Sequence, residues 1–215
     1  FLGDWQGKLV CDDYSGYKAS FGQGITEIGC MAHARRKFFE LHETNKSTLA
    51  ATALEQIGRL YEIERQAKAL DPQQRYLLRQ QKGKPLADDL HTWLIAHRQK
   101  VPDSTATAKA IDYSLKRWSA LTRYLDYGAV PIDNNQVENQ IRPWALGRSN
   151  WLFAGSLRSG RRAAAVMSLI QSAKLNGHDP YAYLKDVLAR LPTHKASAIS
   201  KLLPHNWQQE AAIKF

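Results

Sequence analysis

Asp133-Asn134-Asn135-Gln136-Val137-Glu138-Asn139 is the stretch on which the reading of this chain turns. An extended piece, Val130-Pro131-Ile132, leads into it. The Asp-Asn-Asn run is the chemistry of a helix start, because short polar side chains accept hydrogen bonds from the first free backbone N–H groups. A helix beginning near Asp133 carries Glu138 about one turn in, with Asn134, Asn135, Ile141 and Arg142 at three- and four-residue spacing. One face then presents an amide, a carboxylate and a guanidinium together. A carboxylate so placed can bind a hard divalent cation while Arg142 contacts a phosphate. A second reading needs no metal: Asn135 as N-cap with Glu138 three residues on is a capping-box arrangement.

Upstream, Lys8-Leu9-Val10-Cys11 reads as a short strand ended by the turn chemistry of Asp12-Asp13-Tyr14-Ser15-Gly16. Asp12 at a strand end is where catalytic carboxylates often sit, and equally where an Asx turn leaves a strand. Asp13 competes for either role. Gly24 to Cys30 reads as a second strand, and from Met31 the spacing becomes helical, with Arg35, Arg36 and Lys37 forming a basic face. Cys11, Cys30 and His33 offer one pair of soft ligands and an orphan, short of the four a structural zinc normally takes.

Between these parts lies a helical block. The spacing predicts a helix from Ser47, as N-cap, to Leu70; others from Pro72 to about Gln81 and from Leu86 to His97; and one continuous helix from Ser104 to Tyr127. After Glu138, Asn150 to Ala154 reads as extended, Arg161 to Leu175 as a helix closed by Asn176-Gly177, and Asp179-Pro180 as the start of another. A short tail helix spans Ala196 to Leu203. Arg142, Arg148, Arg158, Arg161 and Arg162 surround Trp144, Trp151 and Phe153, a mixture suited to phosphates and to bases.

Thirty Lys and Arg against twenty Asp and Glu give a formal net charge of +10, which points toward a polyanionic partner. No run approaches the ~20 apolar residues of a membrane span, and no signal sequence opens the chain. Two cysteines are too few for a disulfide scaffold, so a cytoplasmic protein with reduced thiols is expected. No Walker loop, GxGxxG or Ser-His-Asp order is present.

Five motifs occur in order: Leu9 to Tyr17, Gly29 to Phe38, Ile132 to Pro143, Trp151 to Ser156, and Asp179 to Leu184. Together they resemble the insertion-sequence-66 family of bacterial transposases over essentially the whole chain. The resemblance implies an α+β, mainly helical fold: an RNase H-like catalytic core, incomplete here, interrupted by an all-helical insertion and followed by a small C-terminal helical segment. It divides the chain into core at 1–42, insertion at 43–127, core with the Glu helix at 128–181, and C-terminal segment at 182–215. Asp12 matches the second Asp of an Asp-Asp-Glu triad that binds two Mg²⁺ ions, and Glu138 matches its Glu. Asp13 stands where the family more usually has Gly. The first Asp belongs to an earlier strand; Asp4, in a turn beside Gly3, is no substitute, so this chain is expected to be inactive alone.

The implied partners are DNA, as transposon ends and target, and further copies of the chain in a transpososome; no membrane is involved. Arg35, Arg36, Lys37, Arg142, Arg148, Arg158, Arg161 and Arg162 are the candidate phosphate contacts. Two other functions stay open: a truncated, non-catalytic DNA-binding regulator, and a protein-interaction remnant of a transposase.

Overall fold

The computed structural model describes residues 2–151 and 154–208, apart from the side chains of 149–151. Two compact units divide it, Phe1–Gln136 and Val137–Phe215.

The first unit begins with two short parallel strands, β1 (Gly7–Cys11) and β2 (Ile25–Gly29), paired from Gly7 with Ile25 to Cys11 with Gly29. The connection between them carries a 3₁₀ turn, Ser15–Ser20, where a parallel pair more often uses an α-helix. Helix α1 (Met31–Asn45) follows β2 directly. Then come α2 (Thr48–Gln66), α3 (Pro72–Leu78), α4 (Lys84–Arg98), α5 (Ala106–Lys116) and α6 (Trp118–Thr122).

One apolar core joins the strands to the helices. Ile28 of β2 and Met31, Phe38 and Leu41 of α1 pack with Ile57 and Leu60 of α2, Leu90 and Leu94 of α4, and Ile111 of α5. The helix starts follow the sequence rules: Ser47 Oγ accepts from Ala50 N at 3.2 Å, and Asp71 Oδ1 accepts from Gln74 N at 2.8 Å. Gly29 is required by packing, because a Cβ there would lie 2.9 Å from the backbone N of Leu121. Gly128 is tighter still, with Pro72 O at 1.7 Å from any such Cβ.

Two helix boundaries differ from the sequence reading. The expected gap between Gln81 and Leu86 is helical: α3 runs into α4 through a π turn, Arg79–Gly83. Pro85 follows the wider turn, at the start of α4. The continuous helix expected from Ser104 to Tyr127 is instead three pieces, capped by Thr105 and broken at Arg117 (φ −105°, ψ 10°), with a 3₁₀ turn at Arg123–Asp126. Arg117 turns its guanidinium onto Asp13 (2.6 Å) and Glu27 (2.8 Å), contacts that a straight helix does not reveal in the sequence.

The π turn has a purpose in packing. It carries Arg79, which is fully buried and holds Glu64 in a bidentate pair at 2.8 and 2.6 Å. Its remaining nitrogen donates to the carbonyls of Tyr124 and Tyr127 at 2.9 and 2.6 Å. A buried charge survives only when paired and hydrogen-bonded, and Arg79 is both.

The second unit contains the greater part of α7 (Asn135–Trp151), then α8 (Leu157–Leu175) and α9 (Pro180–Arg190), and ends in a 3₁₀ segment, Ala196–Leu202. Asn150 and Trp151, expected to be extended, close α7; Leu152 and Phe153 lie outside the described residues. Ser156 starts α8 one turn earlier than Arg161, its Oγ accepting from Ser159 N at 3.2 Å. Asn176 (φ −90°, ψ 9°) ends α8, and Gly177 (φ 77°) follows in the left-handed conformation expected of such a cap. Ala173, Tyr183, Val187, Leu202 and Trp207 form a small core, tied by Tyr183 Oη to Leu202 O at 2.9 Å and Trp207 Nε1 to Asp186 Oδ2 at 2.7 Å.

Candidate active site

Asp12 leaves β1 half-buried, and its Oδ1 accepts from Tyr14 N at 3.1 Å, the Asx turn that the sequence allowed. That turn engages one of about four acceptor positions on a carboxylate, so it leaves Asp12 capable of holding a cation. Asp13 is committed differently. Its Oδ1 pairs with Arg117 at 2.6 Å and with Lys18 at 3.4 Å, and its side chain is 42% exposed. The two neighbouring carboxylates are thereby separated into a structural ion pair and a strand-end acid.

Asp12 and Asp13 both line a cavity of about 350 Å³, together with Tyr14, His33, Arg36, Lys37, Glu40 and Tyr113. The first and second sequence motifs therefore converge, although some twenty residues separate them. Lys37 reaches over the Tyr113 ring, its Nζ 4.6 Å from the centroid. The start of α1 is uncapped and basic. Its N-cap, Cys30, supplies no side-chain hydrogen bond, and its first turn carries no acidic residue. His33, Arg35, Arg36 and Lys37 follow at the positive end of the helix dipole, an arrangement relieved by a bound anion.

The Asp133-Asn134-Asn135 segment is docked onto this same unit. Met31 N donates to Ile132 O at 3.1 Å, and Tyr61 Oη of α2 donates to Asp133 Oδ2 at 2.8 Å. Burial and then that carboxylate raise the Tyr61 phenol well above its ordinary value, so it remains a donor. The capping register is not the one the sequence allowed. Asp133 receives both the backbone N of Asn135 (3.1 Å) and its side-chain amide (2.9 Å), and Asn135 becomes the first helical residue. Asn135 is inside the helix and not its cap. Glu138, half-buried, lies three positions further along α7.

Among the described residues, no three His, Cys, Asp or Glu side chains cluster closely enough to hold a metal ion by themselves. The donor chemistry favours a hard ion over zinc. Burial, then the Glu27 carboxylate, pushes the Cys11 thiol up to about 11, and burial also raises Cys30. Both stay protonated near neutral pH, whereas zinc takes the thiolate. Mg²⁺ commonly takes one or two carboxylates together with waters and substrate phosphates, and the half-buried carboxylate of Asp12 is a donor of that kind.

Arg35, Arg36 and Lys37 are exposed on α1; Arg142 and Arg148 on α7, and Arg158, Arg161 and Arg162 on α8, are exposed as well. Sequence reasoning missed Arg117, Tyr61 and Arg79. Only long-range contacts reveal them, such as the 72-residue separation of Tyr61 from Asp133.

A helical protein with an acid at the end of a parallel strand, a docked Asp-Asn-Asn turn and basic helix starts has the parts expected of a transposase. Residues 1–162 match the model of the transposase IS66 family, and residues 168–205 that of the IS66 C-terminal element; the chain belongs to the IS66 family of transposases. It is similar to three proteins of Sinorhizobium fredii. "Uncharacterized protein y4hP" is 40% identical over 98% of this chain and 41% of its own length. "Uncharacterized protein y4jD" is 34% identical over 97% of the chain and 43% of its own length, and "Uncharacterized protein y4qI" 36% identical over 98% and 41%. The chain thus spans about two fifths of the length of these relatives. No solved structure matches it. No described helix is long and apolar enough to cross a membrane.

Proposed function

We propose that this chain works in DNA transposition, as part of an RNase H-like catalytic core that cuts an insertion sequence free and joins its 3′ ends to target DNA. Asp12 and Glu138 would serve as carboxylate ligands to Mg²⁺, which when bound would supply Lewis-acid stabilisation of the transferring phosphate. The protein's own residues bind and orient the DNA. Arg36 and Lys37 beside Asp12, and the exposed arginines of α7 and α8, take up phosphates.

The observation that carries this reading is the separation of Asp12 from Asp13. Arg117 and Lys18 pair with one oxygen of Asp13, whereas Asp12, in the same cavity with His33, Arg36 and Lys37, accepts the Asx-turn hydrogen bond from Tyr14 N; this unequal pairing supports Asp12 as the ligand carboxylate. Family membership supports the reaction class, and the parallel β1–β2 pair followed at once by α1 is compatible with one edge of an RNase H-like sheet.

Duplex DNA binding by the purified chain tests the reading against a protein-interaction remnant. Affinity is expected to fall steeply with salt and to persist in Asp12→Ala and Glu138→Ala, which remove metal ligands and no phosphate contact. Self-association without DNA affinity would contradict it.

A further inference from the structure

Helices α1 and α2 enclose an open groove of about 510 Å³. Arg35, Arg36 and Phe39 line it from α1; Gly58, Tyr61 and Arg65 line it from α2. Spacings of three, four and seven residues place each set on one face of its helix. Three features of the groove have no structural explanation of their own.

The first is Phe39. Its neighbours Phe38 and Leu41 are buried in the core, but Phe39 is 46% exposed, in a groove that Arg35, Arg36 and Arg65 also line. An exposed ring in a basic groove suits the π face of a nucleobase. The second is Gly58, in the middle of α2, where glycine weakens a helix relative to alanine. A Cβ there would meet nothing within 4 Å, so no neighbour demands the glycine; what its missing side chain provides is open space in the groove. The third is charge. Arg65 pairs with Glu62 on its own helix, both side chains well exposed, an interaction weak enough to give way to a phosphate. Arg36 lines this groove and also the cavity at Asp12, so the two adjoin.

We propose that the groove receives one unpaired nucleotide of a DNA strand adjoining the scissile phosphate. Its base stacks on Phe39 in the space left by Gly58, its phosphate lies on Arg35 and Arg65, and Arg36 spans to the phosphate next to Asp12. This rests on the reading of the chain as a DNA-processing protein, and adds that one nucleotide is held out of the duplex.

The purified chain, titrated with a fully paired duplex and with the same duplex carrying one unpaired 2-aminopurine, tests it. The unpaired form should bind about tenfold more tightly, the size of one stacked base, with quenched 2-aminopurine emission. Phe39→Ala and, separately, Gly58→Leu should abolish the preference and the quenching while leaving affinity for paired DNA intact; Phe39→Trp should retain both. Neither position supports the core, so the variants fold, as circular dichroism will show. Equal binding of both DNAs by the unmodified chain, or a preference unchanged in both variants, overturns the groove and leaves the DNA reading standing. Absence of all DNA binding overturns both.

Discussion

The two units of this chain use arginine in opposite ways. In residues 1–136 several arginines are consumed by the fold. Arg79 is buried on Glu64 and two carbonyls, Arg117 holds Asp13 and Glu27, and Arg98 holds Asp103 and Asp112. In residues 137–215, Arg142, Arg148, Arg158, Arg161 and Arg162 are exposed on α7 and α8, and Arg190 alone of the described arginines there pairs with an acid, Asp186. A net charge of +10 is therefore a poor guide to which cations meet DNA. Acidic partners neutralise the structural arginines, and the excess stands at the start of α1 and along α7 and α8.

That contrast can be broken most forcefully at Arg79. Arg79→Met should leave Glu64 and two carbonyls without their partner and destabilise the chain by about 3–5 kcal/mol, the cost of breaking a buried ion pair. Urea unfolding measures it, and a loss below about 1 kcal/mol would show that the pair adds little to stability. Tyr61→Phe comes next. It removes the donor to Asp133 and should cost about 1.5–3 kcal/mol, the range for hydrogen bonds to charged groups. Its companion expectation is a loosened Asp133–Asn135 turn, seen as faster amide exchange at Asn135 in the same variant. The smallest stability change belongs to the second unit. Arg161→Ala should alter unfolding free energy by less than about 0.5 kcal/mol, as expected of an exposed surface residue. The same variant should weaken DNA binding uniformly across sequences and lower the salt slope by about 1.

What the sequence revealed was mostly local. Ser47 and Asp179 cap their helices because an N-cap depends on residues three positions apart. The two strands and the Asn176-Gly177 stop are legible for the same reason. What lies hidden is set by contacts across the chain. The break at Arg117 depends on Asp13, more than one hundred residues away, and the π turn depends on a buried ion pair that no periodicity encodes. At the candidate site, Asp12 and Glu138 stood out by motif, and the resemblance favoured Asp12 over Asp13. What the sequence hid is that Arg117 and Lys18 pair with Asp13. The capping register slipped by a comparable mechanism: the Asx turn at Asp133 draws Asn135 into the helix, where sequence rules alone allow it as the cap.

The account stands most directly on the unequal roles of adjacent carboxylates. A transposition assay decides it, with the mobile element's own reading frame, this sequence included, supplying the enzyme. Asp12→Asn and Glu138→Gln should abolish Mg²⁺-dependent strand transfer while DNA binding survives, and Asp13→Asn should retain substantial activity with reduced thermal stability. Strand transfer that survives Asp12→Asn but is lost in a folded Asp13→Asn variant would contradict it.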